Sequence, residues 1–270
     1  MSVTKQGKLY KFRDRLVVFI DILGFANHVS EAASSKSITK ARQIDQALLD
    51  IKKLGTNPDS ETHIFSDSAI ISASNDPVEI EKLFRNLSIL TWSLMTKGVW
   101  IRGGISFGMV SKDKNKPWGP AIVEAANTEA QIASFPRIAL ASSALDLLSK
   151  SSLLLKVTSV SRDQDGVFSL DAVRKGFEFC LTEGGQNDVK LDVPNISDLA
   201  TIKKQLDAAF DTAVDNPEIF KKIGWLCRQW DVSAGSFKEE SGQDFRTKYF
   251  DDYTAKDAFG NGIGVLRGLP

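Results

Sequence analysis

The sequence predicts an α+β fold, in which helices flank a β-sheet, and three patterns support this prediction. Residues 16–20 (Leu-Val-Val-Phe-Ile) form an uninterrupted apolar run, which is typical of a strand buried on both faces. Residues 63–72 contain two short apolar runs around Ser-Asp-Ser, the pattern of a β-hairpin. Apolar residues recur at helical spacing over residues 36–54, which indicates an amphipathic helix. Asn-Asp-Pro at residues 75–77 offers a cap and a first-turn proline for a long helix at 78–97.

The remaining elements follow in chain order. Residues 99–110 predict a strand with an interior glycine pair, which indicates close approach by another backbone or by a ligand. Residues 118–134 predict an alanine-rich helix and residues 142–150 a shorter one. Two amphipathic helices at 199–214 and 217–230 then indicate a helical C-terminal extension.

These elements suggest three regions. We expect residues 1–11 to form a flexible N-terminus, because the start of the chain is polar and basic. Residues 12–172 form the α+β core. Residues 173–270 form the helical extension, which packs on the same domain or on a dimer.

Composition argues against several classes of function. The 34 Lys and Arg residues balance the 34 Asp and Glu residues, so net charge does not favour a nucleic-acid polymer or an acidic membrane as partner. With two histidines and two widely separated cysteines, zinc clusters and helical histidine pairs are excluded. No apolar run suits a signal segment or a membrane span, and we therefore expect a cytoplasmic protein.

Two aspartates are the candidate functional residues. Asp21 follows the apolar strand and precedes a short apolar loop at residues 23–25, and a carboxylate at a buried strand end costs free energy unless it is paired. Asp67 lies at the tip of the predicted hairpin. If the two strands are neighbours, both carboxylates converge on a divalent cation. The alternatives are a helix cap for Asp21 and an ordinary turn residue for Asp67.

The loop after Asp21 adds a second kind of chemistry. Backbone amides at the start of a helix bind phosphate groups. Two carboxylates combined with such a loop suit phosphoryl chemistry on a nucleotide.

Four sequence blocks resemble those of the class III nucleotidyl cyclases and occur in the same order. They are residues 19–25 (Phe-Ile-Asp-Ile-Leu-Gly-Phe), the Asp67 hairpin, residues 101–105 (Ile-Arg-Gly-Gly-Ile) and residues 116–119 (Lys-Pro-Trp-Gly). The resemblance covers roughly residues 12–172 and implies a ferredoxin-like palm sheet flanked by helices. It also implies a homodimer with two active sites shared between the subunits.

The resemblance assigns roles to particular residues. Asp21, Asp67 and the backbone carbonyl of Ile22 would hold two divalent cations, Mn²⁺ or Mg²⁺. Leu23, Gly24 and Phe25 would contact the triphosphate through their amides.

The sequence differs from the purine-specific family members at residues that would contact the base or stabilise the transition state. His63 replaces a lysine, and Lys116 replaces a base-reading aspartate. Ungapped alignment places Val123 and Asn127 where the family has an asparagine and an arginine. We assign His63, Lys116 and Asn127 as candidate substrate contacts. The alternatives are a hairpin-flank histidine without a ligand and a solvent-exposed lysine.

The Phe-Ser-Asp-Ser hairpin, the Pro-Arg-Ile step at residues 136–138 and the Asp-Gly-Val-Phe block at residues 165–168 are similar to the bacterial pyrimidine cyclases of the Pycsar antiphage system. This resemblance implies conversion of UTP to cyclic UMP, a second messenger that acts on a separate effector protein. A cytidylate cyclase and a catalytically inactive nucleotide-binding module are the alternatives.

Arg102 is a candidate for stabilising transition-state charge, although a strand-end arginine more commonly pairs with a surface carboxylate.

Overall fold

The computed structural model describes residues 2–5, 8–34, 38–54, 60–111, 117–150, 158–182 and 191–249. Its strands are β1 (Ser2–Lys5), β2 (Lys8–Ile22), β3 (Ser60–Phe65), β4 (Ser68–Ser74), β5 (Ile101–Ser111), β6 (Ile138–Leu140), β7 (Val160–Arg162) and β8 (Phe168–Leu170). Its helices are α1 (Phe25–Ser34), α2 (Ile38–Lys53), α3 (Pro77–Met95), α4 (Pro120–Gln131), α5 (Ser142–Ser149), α6 (Ala172–Leu181), α7 (Ile196–Ala213) and α8 (Pro217–Ser241). The predicted α+β class with a helical C-terminal region is confirmed.

The sheet is mixed, and β2 lies near its middle. Its strand order is β3-β4-β2-β5-β6-β8-β7, with β1 paired to β2 outside this order. β2 is antiparallel to both β4 and β5, whereas β5 is parallel to β6. Leu16, Val17, Val18 and Ile20 of β2 are all buried, so the predicted burial of this strand on both faces is confirmed.

The two faces of β2 contact different helices. Leu16, Val18 and Ile20 join the larger core, to which α2 and α3 contribute their apolar stripes. Val17 joins a smaller core with Ala121 and Ala125 of α4. Because successive strand residues point to opposite faces, Asp21 lies on the α4 face, as Val17 does.

The C-terminal helices form a second core. Leu199, Leu206, Leu226 and Trp230 of α7 and α8 pack there with residues of α6. Trp92, near the end of α3, belongs to the same cluster, so α3 is shared by both cores. Among the helices of the described ranges, none has the length and apolarity needed to cross a membrane. The predicted boundary between residues 172 and 173 stays a prediction.

The N-terminal segment differs from the sequence-based expectation. Residues 1–11 are predicted to be a flexible terminus, yet Ser2–Lys5 pairs with the start of β2 in an antiparallel register that joins Val3 to Tyr10. Pairing of two strands is satisfied by backbone hydrogen bonds, which polar residues provide as well as apolar ones do. A prediction from apolar periodicity therefore misses this hairpin.

Candidate active site

Asp21 lies at the end of β2, between the two neighbouring strands of the sheet. It stands opposite Ser68 of β4 and Arg102 of β5. The Ser68 hydroxyl donates to Asp21 Oδ1 at 3.4 Å, and Arg102 Nε donates to Asp21 Oδ2 at 3.3 Å. The carboxylate is thus paired on both sides, as burial at a strand end requires.

Asp67 occupies the turn between β3 and β4, as the sequence predicts. Ser66, the other turn residue, has a left-handed backbone with φ of 58°. The Asp67 carbonyl accepts a hydrogen bond from the Ile22 N–H at 3.0 Å, which ties the turn to the end of β2. The Asp67 turn therefore lies at the same end of the sheet as Asp21. Convergence of the two carboxylates on one cation stays a prediction.

The loop after Asp21 has fewer free amides than the sequence suggests. The Leu23 N–H donates to the Trp100 carbonyl at 2.9 Å, so this amide is engaged within the chain. The predicted phosphate contact through Leu23 stays a prediction. Gly24 has φ of 70°, which glycine adopts without strain. Its carbonyl accepts from the Asn27 N–H, which starts α1. The amides of Gly24 and Phe25 remain as candidate phosphate donors at a helix start.

Arg102 is shared between Asp21 and a second carboxylate that the sequence did not place in the site. Glu129 of α4 is buried, and its Oε1 lies 2.5 Å from Arg102 Nε. The same Glu129 oxygen has no hydrogen-bond partner in the described part of the chain, since the Nε–H of Arg102 points to Asp21. Arg102 therefore pairs with carboxylates, as the alternative expects, but its partners are half-buried Asp21 and buried Glu129 rather than a surface carboxylate.

The approach of α4 to β5 explains this contact. A Cβ atom on Gly104 would lie 2.1 Å from the Ala125 carbonyl oxygen and 2.8 Å from the Glu129 nitrogen. Only glycine lets the helix backbone come so near. The predicted close approach at the glycine pair is thus confirmed for Gly104, and the approaching group is the backbone of α4.

Burial and charge act together on Glu129. Burial raises the pKa of the Glu129 carboxyl, the guanidinium of Arg102 opposes this effect, and the nearby Asp21 carboxylate adds to it. The pKa of Glu129 is therefore raised mainly because burial disfavours the charged carboxylate.

The other predicted substrate contacts are more scattered. His63 of β3 stands opposite Ile70 of β4, which stands opposite Phe19 of β2. Directly opposed residues share a sheet face, so His63 lies on the same face as Asp21, two strands away. Lys116 lies outside the described residues.

Asn127 is separated from Asp21 within the chain. It is exposed on α4, on a different side of the helix from buried Glu129. With Val123, which is 60 % exposed, and Trp118, it lines an open groove of about 680 Å³. A single chain therefore does not bring Asn127 to the aspartates.

The donor set fits a hydrated divalent cation. In the described ranges no group of three or more His, Cys, Asp or Glu side chains is placed to hold a metal ion. Mg²⁺ is commonly bound by one or two carboxylates together with water and substrate phosphates. Asp21, Asp67 and the Ile22 carbonyl are the residues that would hold such an ion.

No protein-family model matches the chain, and no curated protein sequence matches it. Among solved structures, a class III adenylyl cyclase-like ATP-binding protein from Pseudomonas aeruginosa is similar over 51% of this chain and 35% of its own, with 14% identity and a TM-score of 0.42. An adenylyl cyclase from P. aeruginosa matches 60% of this chain and 95% of its own, with 14% identity and a TM-score of 0.42.

A guanylyl cyclase domain from Blastocladiella emersonii matches 59% of this chain and 95% of its own, with 14% identity and a TM-score of 0.39. The chain spans less than half the length of some of the structures it matches, 35% for the first P. aeruginosa protein and 45% for a bacterial light-regulated adenylyl cyclase. Similarity at this level assigns neither an activity nor a ligand to this chain.

Proposed function

We propose that this protein is a nucleotidyl cyclase that converts a pyrimidine nucleoside triphosphate, with UTP favoured over CTP, to its 3′,5′-cyclic monophosphate and pyrophosphate. The observation that carries the proposal is the position of Asp21 and of the Asp67 turn at one end of the sheet, beside the helix start that offers the Gly24 and Phe25 amides. Carboxylates and phosphate-binding amides at one place suit phosphoryl transfer from a nucleotide.

The reaction would proceed by attack of the ribose 3′ oxygen on the α-phosphorus. A bond forms between these two atoms, the bond from the α-phosphorus to the bridging oxygen breaks, and pyrophosphate leaves with the electron pair. The proton of the 3′-hydroxyl is released to water. Asp21, Asp67 and the Ile22 carbonyl would hold two divalent cations, which would supply charge neutralisation and increase the acidity of the 3′-hydroxyl. Catalysis of this kind rests on positioning and charge stabilisation.

The chain's own residues have distinct tasks in this scheme. The Gly24 and Phe25 amides would bind phosphate oxygens and orient the triphosphate. Arg102 holds Asp21 in place and is a candidate for stabilising charge in the transition state. His63 shares the sheet face of Asp21, which supports the proposal that it contacts the base.

The proposed pyrimidine preference rests on two positions at which this sequence differs from the purine-specific cyclases. His63 and Lys116 stand where purine-specific cyclases have their lysine and aspartate readers, so the contacts that select purines are missing. Antiphage signalling through a separate effector protein is proposed on the resemblance to the Pycsar cyclases.

The direct test is incubation of the purified protein with UTP, CTP, ATP or GTP in Mn²⁺ or Mg²⁺, with products separated by mass-resolved chromatography. We expect cyclic UMP from the wild type and a rate lower by on the order of a thousandfold in Asp21→Asn and Asp67→Asn. Asp14→Asn is the matched control, because Asp14 is an exposed aspartate on the same strand, and it should keep full activity.

Other outcomes would favour a different function. A cyclic purine product would contradict the base preference but not the reaction. Turnover that survives Asp21→Asn would contradict the assigned site. Nucleotide binding without turnover of any of the four would support the inactive nucleotide-binding module.

A second copy of the chain is proposed to complete the site. The exposure of Val123 and Asn127 on the α4 groove, apart from Asp21, supports this proposal. If Asp21→Asn and Asn127→Ala are each inactive, mixing them should restore about a quarter of wild-type activity, since half of the dimers are mixed and each has one intact site. No recovery after mixing and refolding would contradict a shared site.

A further inference from the structure

A cavity of about 300 Å³ lies between α8, the turn that joins β7 and β8, and the segment after α4. None of its lining residues is Asp21, Asp67, Arg102 or Glu129. It is therefore separate from the candidate active site. Its volume lies at the lower end of the range for ligand pockets, which suits a molecule of one or two rings.

Aromatic rings form the walls of this cavity. The rings of Phe135 and Trp225 stack at a centroid distance of 5.4 Å with 10° between their planes. Phe220 and Tyr249 complete the apolar lining. Flat aromatic surfaces of this kind favour a ligand that is itself aromatic.

The acidic side chains of the cavity are already paired. Asp163 accepts a hydrogen bond from the Trp225 indole N–H and another from Arg137 Nη1 at 3.2 Å. Asp165 accepts from the same Arg137 nitrogen at 3.0 Å. These bonds hold the walls in place, and the single Arg137 charge balances one of the two carboxylate charges.

The basic side chains of the cavity have fewer partners than its carboxylates. Arg228 lines the cavity and makes no ion pair or hydrogen bond with any residue that the structure describes. Lys221, also a lining residue, has an ion pair with exposed Glu218 at 3.7 Å and no closer charged partner in the described ranges. Arg228 is thus a guanidinium at the aromatic wall without a partner among the described residues. Such a group favours an anionic ligand over a neutral or cationic one.

We propose that this cavity is a binding site for a small aromatic anion. The ring of the ligand lies against Phe135, Trp225 and Tyr249, and its carboxylate, sulfonate or phosphate group pairs with the Arg228 guanidinium. Lys221 adds a second positive charge. The proposal goes beyond the proposed cyclase activity and does not depend on it.

The test uses a matched pair of fluorescent probes on the full chain. The probe 8-anilinonaphthalene-1-sulfonate is an aromatic anion, and N-phenyl-1-naphthylamine has the same rings without the sulfonate. We expect the wild type to bind one anionic probe per chain. In Arg228→Gln its affinity should fall about tenfold or more, while the affinity for the neutral probe should stay unchanged.

Three further variants sharpen the test. Arg228→Lys should lose less affinity for the anionic probe than Arg228→Gln, because it keeps the charge. Lys222→Gln removes a neighbouring charge that does not line the cavity, and it should bind both probes as the wild type does. Gly224→Leu should abolish the binding of both probes, since Gly224 lines the cavity and a Cβ there would already lie 3.2 Å from the Tyr249 ring.

Circular dichroism checks that each variant is folded. If Gly224→Leu is not folded, the probe affinities of the Arg228 variants alone test the proposal. The proposal is overturned if the wild type does not bind the anionic probe. It is also overturned if Arg228→Gln changes the affinities for the two probes equally, or changes neither.

Discussion

Arg102 is the residue on which the candidate site depends most directly, because it lies between two carboxylates. Its Nε donates to Asp21 and lies 2.5 Å from Glu129 Oε1. Glu129 is buried and cannot recover its lost hydration. Removing Arg102 would therefore leave two carboxylates facing each other without a cation.

We expect Arg102→Met to lower the free energy of unfolding by about 1–3 kcal/mol, less than for a fully buried pair because the Arg102 side chain is 27% exposed. Glu129→Gln alone should cost less, since burial already raises the pKa of this carboxyl. The double variant should recover part of the loss seen in Arg102→Met. Urea unfolding of the four proteins measures this coupling, and strictly additive changes would contradict it.

The residues of this site differ in how far the sequence reveals them. Asp21 and Asp67 are identifiable from the sequence, because Asp21 follows an apolar run and Asp67 lies between two such runs. The strand pattern therefore predicts the position of each carboxylate at a strand end. Glu129 lies inside a helical pattern, where a carboxylate is usually exposed. Its burial depends on the approach of α4 to β5, a tertiary feature that no local pattern specifies.

At the scale of elements, the contact between α4 and β5 depends on Gly104, because glycine has no side chain to keep the helix backbone away. We expect Gly104→Ala to destabilise the protein by about 3 kcal/mol, because the new methyl group would overlap the Ala125 carbonyl and force α4 away from the sheet. Thermal unfolding followed by circular dichroism measures the change.

Gly235 provides the matched control for Gly104. It lies inside α8, and a Cβ atom there would have no neighbour within 4 Å. Gly235→Ala should therefore stabilise the protein by up to about 1 kcal/mol through its higher helix propensity. A Gly104→Ala protein as stable as the wild type would show that α4 is not held at this distance.

The end of the described chain is attached to α8 through a buried carboxylate. Asp231 accepts hydrogen bonds from the Thr247 N–H at 2.6 Å and from the Thr247 hydroxyl at 2.8 Å. Burial raises the pKa of Asp231 to about 7, with Asp207 adding to the effect and the Thr247 bonds opposing it.

The raised pKa predicts the direction of a pH effect. Between the ordinary pKa of 3.8 and about 7, the native state holds a proton that the unfolded state has released. The contribution of Asp231 to stability is therefore full below this interval and is lost as pH rises through it, by at most about 1.4 kcal/mol per pH unit. Asp231→Asn should flatten the decline measured by urea unfolding at pH 5 to 7.5, and an unchanged slope would contradict this assignment.

Elements with strong apolar periodicity are predictable from the sequence, and elements without it are not. α2 lies close to its predicted position because its apolar residues recur at the helical spacing. α3 and α4 begin close to their predicted positions because a proline marks the first turn of each. β1 and the start of β2 are polar and pair through the backbone, so no side-chain pattern identifies them.

At the scale of the whole molecule, α3 joins the sheet to the C-terminal helices. Ile80 and Leu87 of α3 belong to the core against the sheet, whereas Trp92 belongs to the core of α6 to α8. The indole N–H of Trp92 donates to the Ala172 carbonyl at 2.9 Å, and its ring lies 5.5 Å from both Phe177 and Trp230. A helix that contributes to both cores cannot unfold from one without disturbing the other.

We therefore expect the sheet and the C-terminal helices to unfold together. Hydrogen exchange in low urea should give the central amides of β2 and α8 the same opening free energy. Trp92→Phe removes the indole donor and part of the ring, and should lower both values by about 1–3 kcal/mol. Trp118→Phe, at a side chain that is 46% exposed, should change both by much less. If Trp92→Phe lowered the value for α8 alone, the helical extension would be an independent folding unit, and the chain would divide near residue 172.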